Sequence, residues 1–120
     1  MFSPLNLRTI DEKPGYFLVT EDVMWHHDDL PGGVYLVPRG FETDLASIPI
    51  GLRNLFSKTG RSRKPAVFHD HMYSRRFETR KICDEYFRLA LIERGVPAWK
   101  ARIYWLGVRL GGAIAAGGNW

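Results

Sequence analysis

The chain has little cysteine: Cys83 is the only one in 120 residues. An intrachain disulfide is therefore excluded, and the fold has to stand on its apolar core. That build suits a reducing cytosol and does not suit a small secreted domain held by disulfide staples. A long hydrophobic run is also missing. The most apolar segment, Ile103 to Ala116, is interrupted by Arg109 and several glycines, too short and too broken to span a bilayer. No early stretch joins a basic start to an apolar run and a small-residue cleavage site, so the expectation is a chain without a signal peptide, soluble when made. Blocks of a single charge sign are lacking too. The clusters Lys58 to Lys64 and Arg75 to Arg80 are short and broken by Ser, Thr, Phe and Glu. With a formal charge of +4, they read as solvated surface rather than a phosphate-binding strip, which leaves nucleic-acid binding as the weakest functional class. There is no repeat and no interdomain linker.

What is present is ordinary globular material. Apolar residues make up 45% and charged residues 25%, which argues against wholesale disorder. The length predicts one domain with a single modest core. The first half reads as strands. Tyr16 to Trp25 is rich in β-branched and aromatic residues, His26 to Gly33 is a polar turn, and Val34 to Val37 is a second short strand closed by Pro38. A hairpin or small meander follows, continued by Phe41 after Gly40.

The second half reads as helices. Pro49 to Phe56 is a short candidate. Pro65 can open a helix over Ala66 to about Ser74, since proline suits a first helical position. Thr79 can N-cap a longer helix ending at Gly95, a C-cap glycine. Cys83, Phe87, Ala90 and Leu91 form its apolar stripe, flanked by Ile82 and Tyr86. Pro97 opens a last helix, Ala98 to about Leu110, with Trp99, Ile103, Trp105, Leu106 and Leu110. The fold class predicted is α+β: an N-terminal antiparallel sheet in residues 1 to about 45, a bundle of about three helices to 112, and a glycine-rich flexible or docking tail over 113–120.

One constellation carries chemistry. On a helix from Ala66 to Ser74, His69 and Tyr73 stand four apart on one face, and Asp70 adjoins the histidine. Asp84, at the edge of the next apolar stripe, would reach His69 if the two helices pack antiparallel across Arg75 to Glu78. A carboxylate on one imidazole nitrogen fixes the tautomer and leaves the other free to take a proton from water. Asp70 could offer oxygen to a hard cation such as calcium. The bland alternative is a satisfied polar network that fixes how two helices pack.

Other positions offer less. Thr43, Asp44 and Ser47 can cap the corner between sheet and helices; a sharper reading puts Asp44 beside His69 and Asp70 as a metal ligand or water-orienting group. His26 and His27 beside Asp28 and Asp29 form a short turn cluster that reads as hydrated. His71 points away from His69 and is expected to be exposed. Cys83 reads as a small core residue rather than a nucleophile. Trp99, Tyr104, Trp105 and Trp120 read as core or partner contacts.

The H-D-x-x-Y pattern of His69, Asp70 and Tyr73, with Asp84 on the following helix, resembles phospholipases A2, including the disulfide-free forms carried by parvoviruses. The resemblance implies that His69 activates water, that Asp70 binds calcium, and that Asp84 with Tyr73 holds the histidine; membrane lipid would enter only as substrate. A paired His-Asp also resembles the metal-dependent phosphohydrolases, with His26 or His27 and Asp84 as further ligands. That superfamily is all-helical, however, whereas His26 and His27 lie between strand and turn.

A longer series of motifs is similar to one family. Its members are Gly40-F-x-T-D-x-A-S-I-Pro49, Gly60 with basic neighbours, Ala66-V-x-H-D-x-x-Tyr73, Cys83-D-x-x-Phe87, Gly95-V-Pro97 and Val108-R-x-x-Gly112. Together they resemble the phage domain-of-unknown-function family numbered 1353. The resemblance implies a protein encoded by tailed phages or prophages, commonly near virion and tail genes, with no established activity. It would be made in the bacterial host cytoplasm and could be incorporated in the virion tail, with tail or other virion proteins, or further copies of itself, as partners. The resulting expectation is a virion- or tail-associated protein of morphogenesis or host penetration carrying a hydrolase-like His-Asp centre. The alternatives are a calcium-dependent, phospholipase-like envelope hydrolase and a purely structural connector with a buried His-Asp network.

Overall fold

Alternation of inward and outward side chains is clearest in the hairpin of strand β3 (Val23–His26) with β4 (Val34–Val37). Val23 pairs with Val37 and Trp25 with Tyr35, and these four are buried, while Met24, His26, Val34 and Leu36 face outward. The turn between them, residues 27–33, holds a single 3-10 turn at Pro31–Gly33. Phe2 adds an isolated bridge to Trp25 and stacks on its ring at 5.1 Å.

A second antiparallel sheet takes the order β1–β2–β5, from Leu7–Thr9, Phe17–Val19 and Glu42–Thr43. The expected continuous strand from Tyr16 to Trp25 is therefore two strands in two sheets. Asp22 is a poor strand former, and its carboxylate accepts the Arg39 backbone N–H at 2.8 Å, tying down the break. Strand β1 has no sequence signal of its own; it is held by pairing, Leu7 opposite Val19.

The computed structural model describes residues 1–44 and 61–115, with side chains as far as 111. The chain divides into two compact units, Met1–Leu45 and Ala46–Trp120. The helix expected over Pro49 to Phe56, the cap at Ser47 and Trp120 lie outside the described residues.

Among the described residues three helices follow the strands, as the α+β expectation required: α1 (Arg63–Ser74), α2 (Arg80–Glu93) and α3 (Ala98–Ala115). Helix α1 begins three residues before the expected Ala66. Pro65 is tolerated there because its missing N–H belongs to the first turn, where no intrahelical partner exists. Helix α2 starts where expected: Thr79 accepts the Ile82 N–H at 3.2 Å. It ends in a Schellman closure, with Gly95 N–H to Ile92 O and Val96 N–H to Leu91 O, both 3.0 Å, and Gly95 at φ +91°. Helix α3 runs five residues past the expected Leu110, through Gly111 and Gly112; each glycine costs about 1 kcal/mol of helix propensity, too little by itself to end a helix. Helix α2 packs on both α1 and α3. Its buried residues Arg80, Cys83, Asp84, Phe87 and Leu91 share one face, against Phe68, His69 and Met72 of α1 and Ala101, Tyr104 and Val108 of α3.

Helix α1 also ends in a Schellman closure, Phe77 N–H to Met72 O at 3.0 Å and Arg76 N–H to Tyr73 O at 3.2 Å, but the left-handed residue is Arg76, at φ +48°. A side chain there costs about 1 kcal/mol relative to glycine. Arg76→Gly is therefore expected to raise unfolding stability by about 0.5–1 kcal/mol, whereas Thr79→Ala should lower it by about 1 kcal/mol through loss of the cap. Urea unfolding followed by circular dichroism reads both.

Candidate functional site

Helical spacing assembles the candidate site within the second unit. His69 and Tyr73 sit one turn apart on α1. Asp84 lies on the inner face of α2, with Arg80 one turn before it, and Arg109 comes from α3. Asp84 is 0% exposed, and both its oxygens are used. Oδ1 lies 2.7 Å from His69 Nε2 and also accepts the Tyr73 hydroxyl. Oδ2 accepts Arg109 Nη1 at 3.0 Å and pairs with Arg80 Nη1 at 3.5 Å. Arg80, itself buried, also donates to the Arg109 backbone carbonyl at 2.9 Å. A single carboxylate thus joins three helices.

The electrostatics follow from that saturation. Burial would raise the Asp84 pKa, but hydrogen bonds from His69 and Tyr73, the charge at His69 and the bond from Arg109 outweigh it, and the carboxyl is held below its ordinary 3.8. The Tyr73 phenol is pushed upward, first by burial and then by donating to the carboxylate, so it stays a neutral donor. With Asp84 ionised, His69 Nε2 must be a donor. His69 is only 4% exposed, its ring lies 4.1 Å from that of Tyr73 and 4.8 Å from that of Phe87, and its buried Nδ1 has no hydrogen-bond partner among the described residues.

The structure therefore brings together His69, Tyr73 and Asp84, and it adds Arg80 and Arg109, which the motif reading had not placed in the site. Both had a signal. Arg80 shares the apolar stripe with Asp84 at i, i+4, and Arg109 is the charge that interrupts the most apolar segment of the chain. Asp84 stands at the edge of its helix's buried residues, beside Leu91, as expected, and is itself fully buried.

The two expected calcium ligands belong to different units. Asp70 is half-buried on α1 and Asp44 half-buried after β5 in the first unit. Among the described residues no group of three or more His, Cys, Asp or Glu could hold a metal ion. The one fully buried carboxylate of the network already faces two guanidinium groups, whose charge opposes a nearby cation.

The remaining candidates have local roles. His27 Nδ1 accepts the Asp29 backbone N–H at 3.0 Å, which makes it a turn cap. His71 is half-buried rather than exposed, and burial, then Arg75, lowers its pKa. Cys83 is fully buried, and burial pushes its thiol up to about 11, which suits a core residue and not a nucleophile.

A family model described as "Protein of unknown function (DUF1353)" matches residues 17–108. That span holds every network residue except Arg109, which follows it directly. No curated protein and no solved structure matches the chain, and none of these comparisons supports the phospholipase likeness.

Asp84→Asn is expected to cost about 3–5 kcal/mol at pH 7, because it leaves buried cationic donors without their counter-charge. The folded carboxyl titrates below the unfolded one, so its contribution is complete above the unfolded value of 3.8 and is lost as pH falls through the folded value. The stability gap between wild type and Asp84→Asn should narrow below pH 3.8. Denaturant unfolding across that range checks the sign, and a gap independent of pH would contradict it.

Proposed function

The chain belongs to DUF1353, a protein family of unknown function, and on that premise we propose a structural part in building a tailed-phage or prophage particle. The protein is made in the host cytoplasm and joins tail or other virion proteins. The family resemblance supports the phage setting. The observation that carries the structural part is the complete use of Asp84: a carboxylate with no exposed surface and donors on both oxygens from three helices. Such a group fixes how helices pack.

A second reading, a small hydrolase, is favoured by one atom. His69 Nε2 is held by a carboxylate while Nδ1 has no partner among the described residues, the arrangement of a general base. In that role Nδ1 would take the proton of a water attacking an ester carbonyl and return it to the leaving oxygen. The burial of Nδ1 weighs against it, since water has to reach that nitrogen.

Two experiments separate the readings. A tagged copy expressed during the lytic cycle of a phage or prophage that carries the gene should co-sediment with tails or tail assemblies; recovery only as free protein would contradict the assembly role. Purified wild type should cleave neither phospholipid vesicles nor a soluble ester, with or without calcium, and His69→Gln should cost about 1–3 kcal/mol of stability. Cleavage by wild type that His69→Gln abolishes while remaining folded would establish the hydrolase instead.

A further inference from the structure

Helix α3 carries two apolar faces. Ala101, Tyr104 and Val108 point inward and are buried. On the opposite side Trp99, Ile103, Leu106 and Leu110 recur at i, i+4, i+7 and i+11, the seam spacing of a two-helix coiled coil. These four are exposed, Trp99 by 66% and Leu110 by 71%. Soluble chains seldom leave a continuous apolar row of this size uncovered. At its start the row opens into a groove of about 580 Å³ lined by Glu85, Arg88, Ala98, Trp99, Arg102 and Trp105.

Charge decides the occupant. The seam is bordered by Lys100 on one side and by Arg102 on the other, and α3 contains no acidic residue; Arg109 is engaged by Asp84. Lys100 and Arg102 make no ion pair among the described residues. Two copies of α3 packed seam to seam in parallel would set Lys100 and Arg102 against their own counterparts, a like-charge arrangement that disfavours self-association. An amphipathic helix with an apolar seam and acidic borders fits instead: its apolar row covers Trp99 to Leu110, and its carboxylates meet Lys100 and Arg102. Glu85 in the groove is already paired with Arg88, so it does not cancel the basic border.

We propose that the outer face of α3 docks an acidic amphipathic helix of another protein. This deepens the assembly reading by naming the chemistry of the partner and rests on it for the existence of one. The test uses the full chain alone with designed peptides, so that its failure removes this surface while leaving the co-sedimentation result standing.

The probes are two fluorescently labelled helical peptides of about three heptads, with the same leucine seam and either glutamate or lysine on both borders. Fluorescence anisotropy should show the glutamate peptide binding at least tenfold more tightly than the lysine peptide. Leu106→Gln with Leu110→Gln should weaken that binding at least tenfold without lowering the melting temperature, because both side chains are exposed. Lys100→Glu with Arg102→Glu should reverse the preference between the peptides. Binding of neither peptide, equal binding of both, or concentration-dependent dimerisation of the chain abolished by the leucine substitutions would each overturn the proposal, the last by making a second copy the occupant.

Discussion

The helical unit depends on one ionised carboxylate held where no water reaches it. Taking Asp84 out of solvent costs several kcal/mol, and the attraction of its partners repays this only if the geometry is close and every lone pair is used. Partners stand on both oxygens: His69 and Tyr73 from α1 bond one, Arg109 from α3 bonds the other, and Arg80 adds an ion pair at 3.5 Å. Apolar contacts among Phe68, Phe87, Leu91 and Tyr104 supply most of the driving force for the unit. They are tolerant of sliding, because hydrophobic contact is not directional. The carboxylate is directional, and it sets which turn of α1 and which turn of α3 face the middle of α2.

Much of this was legible in the chain because helical periodicity is a short-range rule. Thr79, Gly95 and the stripe from Cys83 to Leu91 follow from capping chemistry and spacing, and the His69–Tyr73 face follows from an interval of four. Asp84 reaching His69 needed only a short connection between two helices. The contribution of Arg109 could not be read this way. It arrives from a third helix, and nothing local marks an arginine in an apolar helix as a partner of a particular buried acid. Strand β1 was invisible for a similar reason, since three residues have no periodicity and exist as a strand only through pairing with β2. The ends of α1 and α3 were misjudged where a single proline or glycine pair was read as a boundary, although packing over many residues outweighs about 1 kcal/mol at one position.

The site reading changed most where chemistry required an open path. The sequence placed a base, an orienting acid and neighbouring carboxylates close together, which is compatible with a reaction. The structure keeps the first two and surrounds them with aromatic rings and guanidinium groups, while Asp70 and Asp44 join no metal-binding group among the described residues. Helix α3 then has two distinct roles on its two sides. Inward, Arg109 completes the tie to Asp84; outward, the row from Trp99 to Leu110 is free to meet another chain.

The claim at the centre is that His69 and Arg109, which share no bond with each other, are coupled through Asp84. A double-mutant cycle in unfolding stability, His69→Ala and Arg109→Ala singly and together, measures that coupling directly. The account predicts non-additivity of about 1 kcal/mol or more, within the range found for members of one network. Additive losses would contradict it, leaving the two contacts as independent neighbours of a buried acid rather than parts of one tie.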